Sequence, residues 1–232
     1  MLYSQTTGAG PDLVLLHGWG FNSDLFDSLI EKYKHQYRIT KIDLPGHGRS
    51  DDVAGGLDEW CDEIIKLLPN NPILLGWSLG GLLAINLAKK IKLSKLILVA
   101  STPNFVQNSH WQYGINADNF QQFSNALSLN LSKGLKRFVS LQTQNKNQLK
   151  TLIQSIDTLP ASASALNQGL EILLTSDLTE HFKHLSIPIE ATLGSRDTLV
   201  PHTIKQWYSN QNISVSLLDT GHLPFLHNDF KL

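Results

Sequence analysis

Short apolar runs recur along the chain at 12–16, 37–42, 72–77, 96–100, 187–193 and 213–218, and most are followed by a segment of helical length. Each run is rich in β-branched or aliphatic residues and bounded by turn residues, the pattern of a strand. Leu13-Val14-Leu15-Leu16 and Leu96-Ile97-Leu98-Val99 are apolar without alternation, which predicts strands covered on both faces and therefore a mostly parallel central sheet flanked by helices. Apolar positions at helical spacing over 25–33, 57–68, 79–91 and 202–208 supply the covering layers, and Pro201 suits a first helical turn. In such an α/β architecture the loops at the carboxyl ends of the strands are where the chemistry is expected.

The rhythm breaks between 103 and 185. This stretch shows no convincing buried strand and spaces its apolar residues as helices do. The expectation is a core formed by 1–102 and 186–232, interrupted by a helical lid insertion over 103–185. Trp111, Phe120, Phe123 and Phe138, with Leu127 and Leu131, would form an apolar lid face over the active end of the sheet.

Composition narrows the possibilities. At 232 residues the chain is long enough for one substantial core with room for an insertion. A net charge of −1 gives no global attraction to nucleic acid or to an anionic membrane, so a charged partner must meet a local patch. Cys61 is the single cysteine, so no internal disulfide can form, and Met1 to Gly10 lack the basic and apolar regions of a secretory signal. The expectation is a cytoplasmic enzyme that is monomeric, does not bind nucleic acid and does not span a membrane.

Gly76-Trp77-Ser78-Leu79-Gly80 closes one apolar run and opens a helical one. That is the strand-turn-helix context of a nucleophile elbow, in which small flanking residues make room for a sharp bend that exposes the serine hydroxyl. The pentapeptide alone is weak, and its partners decide. A serine hydroxyl needs a histidine to take its proton and a carboxylate to orient that histidine. Asp197 follows the run at 187–193, and His222 follows the run at 213–218. Both fall on loops at the same end of the sheet as Ser78, in the order serine, acid, histidine. Asp219 is a nearby rival for the acid. Upstream, His17-Gly18-Trp19-Gly20 follows a strand and can aim the Trp19 backbone N–H, beside that of Leu79, at a developing oxyanion. His17 and His47 read as structural residues, and Cys61 as a small apolar one.

LVLLHGWG, IDLPGHGRS, GWSLGG, the Asp197 loop and the Gly221-His222 pair stand in an order that resembles the α/β-hydrolase superfamily along the whole chain. RFVSLQT (137–143) and LNQGLEILLTSDL (166–178), both in the insertion, narrow the resemblance to the family of pimeloyl-acyl-carrier-protein methyl ester carboxylesterases of biotin synthesis. The resemblance implies Ser78, Asp197 and His222 as the catalytic triad, with Trp19, Leu79, Phe138 and Trp77 as oxyanion and substrate-binding residues. It also implies methanol release without a metal or organic cofactor. The family's partner is an acyl carrier protein, an acidic protein, and Lys133, Lys136, Arg137, Lys146 and Lys150 lie in a stretch, 119–156, that contains no Asp or Glu. They are the expected carrier contacts by charge. The triad residues alone leave open a short-chain carboxylesterase with a substrate not bound to a carrier, a carbon-carbon hydrolase or lyase, and a non-catalytic binding module on the same fold.

Overall fold

The computed structural model describes the backbone of all 232 residues and the side chains of all but Ala126, Ser128 and Leu129. Seven strands form one sheet: β1 (Ser4–Gly8), β2 (Asp12–Leu16), β3 (Arg38–Ile42), β4 (Ile73–Trp77), β5 (Lys95–Val99), β6 (Ile189–Gly194) and β7 (Ser214–Leu218). Their order is β1-β3-β2-β4-β5-β6-β7, and every neighbouring pair is parallel except β1 with β3. The six apolar runs account for β2 to β7. β1 escapes hydrophobic reading because Ser4-Gln5-Thr6-Thr7-Gly8 lies at the edge with its side chains largely in solvent.

The core helices are α1 (Asp27–Tyr33), α2 (Leu57–Ile65), α3 (Leu79–Lys90) and α9 (Ile204–Asn210). The segment 25–33 is a 3-10 turn (Ser23–Phe26) leading into α1, and α2 stops at Ile65 rather than Leu68. Pro201 sits ahead of α9, which starts at Ile204. Leu79 to Leu87 in α3 are all buried, because this helix is covered by the sheet on one side and by α2 and the insertion on the other. A buried helix need not be amphipathic.

After β2 the chain winds to one side, to β3, and after β3 it crosses to the other, to β4. The carboxyl ends of β2 and β4 therefore flank the topological switch point, where winding in opposite directions leaves a crevice above the sheet. Residues 17–20 and Ser78 lie at its two walls.

Between β5 and β6 the chain leaves the sheet and forms α4 (Ala117–Leu129), α5 (Leu131–Gln142), α6 (Lys146–Thr158), α7 (Ala163–Thr175) and α8 (Thr179–Lys183). Asn130, Asn145 and Ser162 cap α5, α6 and α7 with side-chain acceptors for first-turn N–H groups. Polar contacts tie the end of α6 and the start of α7 to the core. Asn22 Nδ2 donates to the Leu159 carbonyl at 3.3 Å, and the Ser162 N–H donates to the Gly46 carbonyl at 2.8 Å. Trp111 departs from the expected apolar lid face. It lies in an irregular stretch before α4, with its ring edge-on to Trp207 of α9 at 5.0 Å, and so extends the core rather than the cavity wall.

Candidate active site

Ser78 adopts φ 55° and ψ −119° between β4 and α3. A non-glycine residue held at positive φ stores roughly 1–3 kcal/mol of strain, tolerated only where the surroundings enforce it. Here they do. A Cβ on Gly76 would stand 2.4 Å from the Gly80 carbonyl oxygen, and one on Gly80 would stand 2.2 Å from that of Leu16. The two glycines thus let the elbow fold against itself and against β2.

The bend aims the Ser78 hydroxyl at His222. Ser78 Oγ and His222 Nε2 are 2.8 Å apart, and His222 Nδ1 and Asp197 Oδ2 are 2.7 Å apart. Asp197 Oδ1 accepts the N–H groups of Leu199 and Val200 at 2.8 and 3.1 Å, which leaves Oδ2 for the imidazole. An ionised carboxylate only accepts, so Nδ1 carries the imidazole proton and Nε2 is free to accept one from serine. Asp219, the rival acid, turns away: it pairs with Arg196 at 3.0 Å and accepts from the Ser195 hydroxyl.

The loop after β2 closes over the elbow. A Cβ on Gly18 would come within 3.0 Å of the Trp77 ring and 3.2 Å of Ser78 Cβ, so any larger residue would push the loop or the elbow aside. Neither the Trp19 nor the Leu79 backbone N–H has an acceptor among the described backbone hydrogen bonds, the condition an oxyanion donor must meet. Two buried histidines hold this loop. His17 Nε2 accepts the Leu44 N–H at 2.9 Å, and His47 Nε2 accepts the Gly20 N–H at 3.2 Å, while each Nδ1 donates to a nearby carbonyl. Burial lowers both of their pKa values, that of His47 to about 3, so both stay neutral and keep Nε2 as an acceptor. Beneath them, despite the cost of its burial, Asp43 is held well below the usual carboxylate range by the Arg49 guanidinium. Burial pushes the Cys61 thiol up to about 12, which suits a packing residue and not a nucleophile.

A cavity of about 490 Å³ opens beside Ser78 and Trp19, walled by Phe120 and Phe123 of α4, Phe138 of α5 and Leu170 of α7. Phe138 packs edge-on against Trp19 at 4.9 Å. The Trp19 indole N–H donates to the Leu166 carbonyl at 2.8 Å and so joins this wall to α7. A polar groove of about 660 Å³ shares Leu141 and Thr198 with the cavity and lies on the other side of them, lined by Gln142, Gln148, Asp219 and Gly221 among others.

One expected cavity residue needs correction. Trp77 does not line the cavity. Its side chain points beneath the elbow, packs on Phe21 and Phe225, and donates its indole N–H to the His222 carbonyl at 2.7 Å. The bend at Ser78 follows directly on the end of β4 at Trp77, and it aims the hydroxyl toward the cavity while the indole stays in the layer beneath. The Leu79 side chain is buried in α3 as well, so this residue offers the site only its N–H. Of the five basic residues, Lys136 is paired with Asp157 at 3.1 Å, an acid just beyond the acid-free stretch that the helical hairpin brings back. Arg137 stands at the cavity mouth, and Lys133, Lys146 and Lys150 are exposed.

Gln142, to which no sequence motif assigns a role, adjoins the proposed base. Its carbonyl accepts the His222 N–H at 3.0 Å, and its fully buried side chain leaves Oε1 without a partner among the described residues. The available signal was spacing: Gln142 follows Phe138 by four residues and shares its helix face.

A family model described as the alpha/beta hydrolase family matches residues 13–230. The pimeloyl-acyl-carrier-protein methyl ester esterase of Nitrosomonas europaea is 35% identical over 236 residues, covering 97% of this chain and 94% of that protein. The protein of the same name from Pectobacterium carotovorum is 38% identical over 240 residues, covering 97% and 92%. Among solved structures, an esterase from Exiguobacterium antarcticum superposes with a TM-score of 0.88 at 23% identity over 97% of this chain and 90% of that one, a likeness of fold alone. No helix among the described residues is long and apolar enough to cross a membrane. The chain belongs to the alpha/beta hydrolase family.

Proposed function

We propose that this protein is a serine carboxylesterase that hydrolyses the methyl ester of a pimeloyl chain carried on acyl carrier protein, in biotin synthesis. The observation that carries the reading is the placement of the Ser78 hydroxyl. It is hydrogen-bonded to His222 and sits at the floor of an aromatic cavity whose mouth bears Arg137, below the basic face of α5. The shared name of relatives that match nearly the whole chain supports the same substrate.

The methyl ester enters first. Ser78 Oγ attacks its carbonyl as His222 Nε2 takes the hydroxyl proton, and the oxyanion forms between the Trp19 and Leu79 N–H groups. His222 returns the proton to the departing methoxide, releasing methanol and leaving the acyl group on Ser78. A water then attacks this acyl-enzyme with His222 as base, and collapse frees the carboxylate and the serine hydroxyl. Asp197 holds the imidazole tautomer throughout. The residues 103–185 act as the lid: Phe120, Phe123 and Phe138 hold the methylene chain, so the thioester at its far end stays near the mouth and away from Ser78. Lys133, Arg137, Lys146 and Lys150 attract the acidic carrier. The enzyme works as a cytoplasmic monomer and needs no cofactor.

The test compares methyl pimeloyl-carrier with dimethyl pimelate. A carrier substrate favoured in kcat/KM, with a preference that salt weakens, is expected. Equal efficiency insensitive to salt overturns the carrier reading in favour of a broad short-chain carboxylesterase. Restoring biotin-independent growth to a host lacking its methyl ester carboxylesterase, with Ser78→Ala as control, tests the biological role.

A further inference from the structure

The cavity changes chemistry from floor to mouth. Outward from Ser78 come the Trp19 indole and the rings of Phe120, Phe123 and Phe138, after which the lining includes the side chains of Asn119, Gln122 and Arg137, all exposed residues at the opening. Asn119 and Gln122 are three residues apart on α4 and therefore share a face. The other carboxamides of this helix behave differently. Gln121 Nε2 donates to Asn125 Oδ1 at 3.1 Å, and neither residue lines the cavity. One pair of amides is thus bonded to itself across one turn, while the other is presented to whatever occupies the mouth.

A carrier-bound pimeloyl ester has a matching order of groups. Behind its ester and methylenes come the thioester, then the two secondary amides of the pantetheine arm, then a phosphate. A secondary amide has one N–H donor and one carbonyl acceptor, and leaving either unpaired on entering a partly desolvated mouth costs free energy. A carboxamide side chain supplies both a donor and an acceptor, so it meets such an amide in either direction. A charged side chain offers only one of the two functions.

Resting on the proposed function, we infer that Asn119 and Gln122 are specificity-determining residues that hydrogen-bond the amides of the pantetheine arm. They make the enzyme recognise the arm itself, separately from the charge of the carrier. Being neutral, this recognition does not weaken with salt, unlike the attraction from α5.

The experiment measures kcat/KM for methyl pimeloyl-pantetheine and for dimethyl pimelate, which has the same acyl chain and no arm. In Asn119→Leu/Gln122→Leu the ratio of the two is expected to fall about tenfold, chiefly through KM for the pantetheine substrate, the order expected of two neutral hydrogen bonds. The swapped variant Asn119→Gln/Gln122→Asn, which keeps both carboxamides, is expected to recover most of the ratio. Gln148→Leu, in the polar groove beyond Leu141, is expected to preserve it. A wild-type ratio above one that survives in the double leucine variant overturns the inference and leaves the proposed function standing. Equal loss on both substrates, the mark of a disturbed α4, also counts against it, as does loss of the ratio at Gln148 instead. A wild-type protein indifferent to the arm and to the carrier overturns both readings.

Discussion

The indole N–H of Trp77 donates to the main-chain carbonyl of His222 at 2.7 Å, so the residue just before the candidate nucleophile supports the backbone of the candidate base. Trp77 is buried against Phe21 and Phe225, which makes this brace rigid. Trp77→Phe keeps most of the packing but leaves the His222 carbonyl unpaired, at a cost of about 1–3 kcal/mol. A lower Tm is expected, with a fall in kcat larger than any change in KM. An unchanged kcat would mean that the brace does not position the imidazole.

The hydrogen bonds of Asp197 separate its role from that of Ser78. Ser78→Ala removes the proposed nucleophile, and turnover is expected to fall by about a millionfold. Asp197→Asn can keep the geometry while favouring the wrong imidazole tautomer, with a loss on the order of ten-thousandfold. Steady-state rates on dimethyl pimelate, with circular dichroism to establish folding, check both. Asp219→Asn is expected to stay close to wild type.

Gly169 in α7 faces the oxyanion loop. A Cβ there would lie 2.7 Å from Trp19 Cδ1 and 3.3 Å from Leu79 Cδ2. Alanine in a helix is worth about 1 kcal/mol over glycine, but overpacking costs about 1–3 kcal/mol. The overlap falls on the two residues whose N–H groups are proposed to hold the oxyanion. Gly169→Ala is therefore expected to lower kcat by about ten- to a hundredfold, since displacements near 1 Å have effects of this order. A wild-type kcat would show that the indole yields without moving its backbone.

His47 makes stability depend on pH. Burial lowers its pKa from 6.5 to about 3, so between these values the unfolded chain holds a proton that the folded chain lacks. Stability is then complete above 6.5 and declines on acidification, by about 1.4 kcal/mol per pH unit from this group. His17, also lowered chiefly by burial, acts in the same direction. Urea midpoints are expected to fall between pH 7 and pH 5, and His47→Gln should be less stable at pH 7 with a shallower decline. An equal slope in that variant would assign the acid sensitivity to other groups.

The basic residues of the insertion are not equivalent. Arg137 and Lys133 have no ion-pair partner among the described residues, whereas Lys136 already faces Asp157. Arg137→Glu and Lys133→Glu are each expected to reduce kcat/KM on the carrier substrate about tenfold at low salt, and less at high salt. Lys136→Ala is expected to do less. Stopped assays at two ionic strengths distinguish the three, and equal effects would mean that the Asp157 pair breaks on carrier binding.

Much of this was legible in the chain. The apolar runs located six strands to within about two residues: β2, β4 and β5 are buried on both faces and have few polar positions, and the edge strand β7 still carries Val215, Leu217 and Leu218. β1 has no such signature because Ser4-Gln5-Thr6-Thr7-Gly8, an edge strand in solvent, carries no apolar residue at all. Ser78, Asp197 and His222 could be named because each follows a strand, and parallel strands deliver their following loops to one end of the sheet. Whether Asp197 or Asp219 faces the histidine was a different kind of question. Two acids on neighbouring loops look alike until Leu199 and Val200 orient one and Arg196 draws off the other.

By itself, then, the sequence determined the alternation of elements, the elbow, and the order of three residues on three loops, since local patterning and chain direction suffice for these. Tertiary structure alone decided what each side chain meets. It turned Trp77 from the cavity to the His222 backbone, joined Trp19 to α7, neutralised Lys136 and left Arg137 at the mouth. These contacts link residues distant in sequence, and their geometry follows from how the insertion packs on the sheet, which no local pattern encodes.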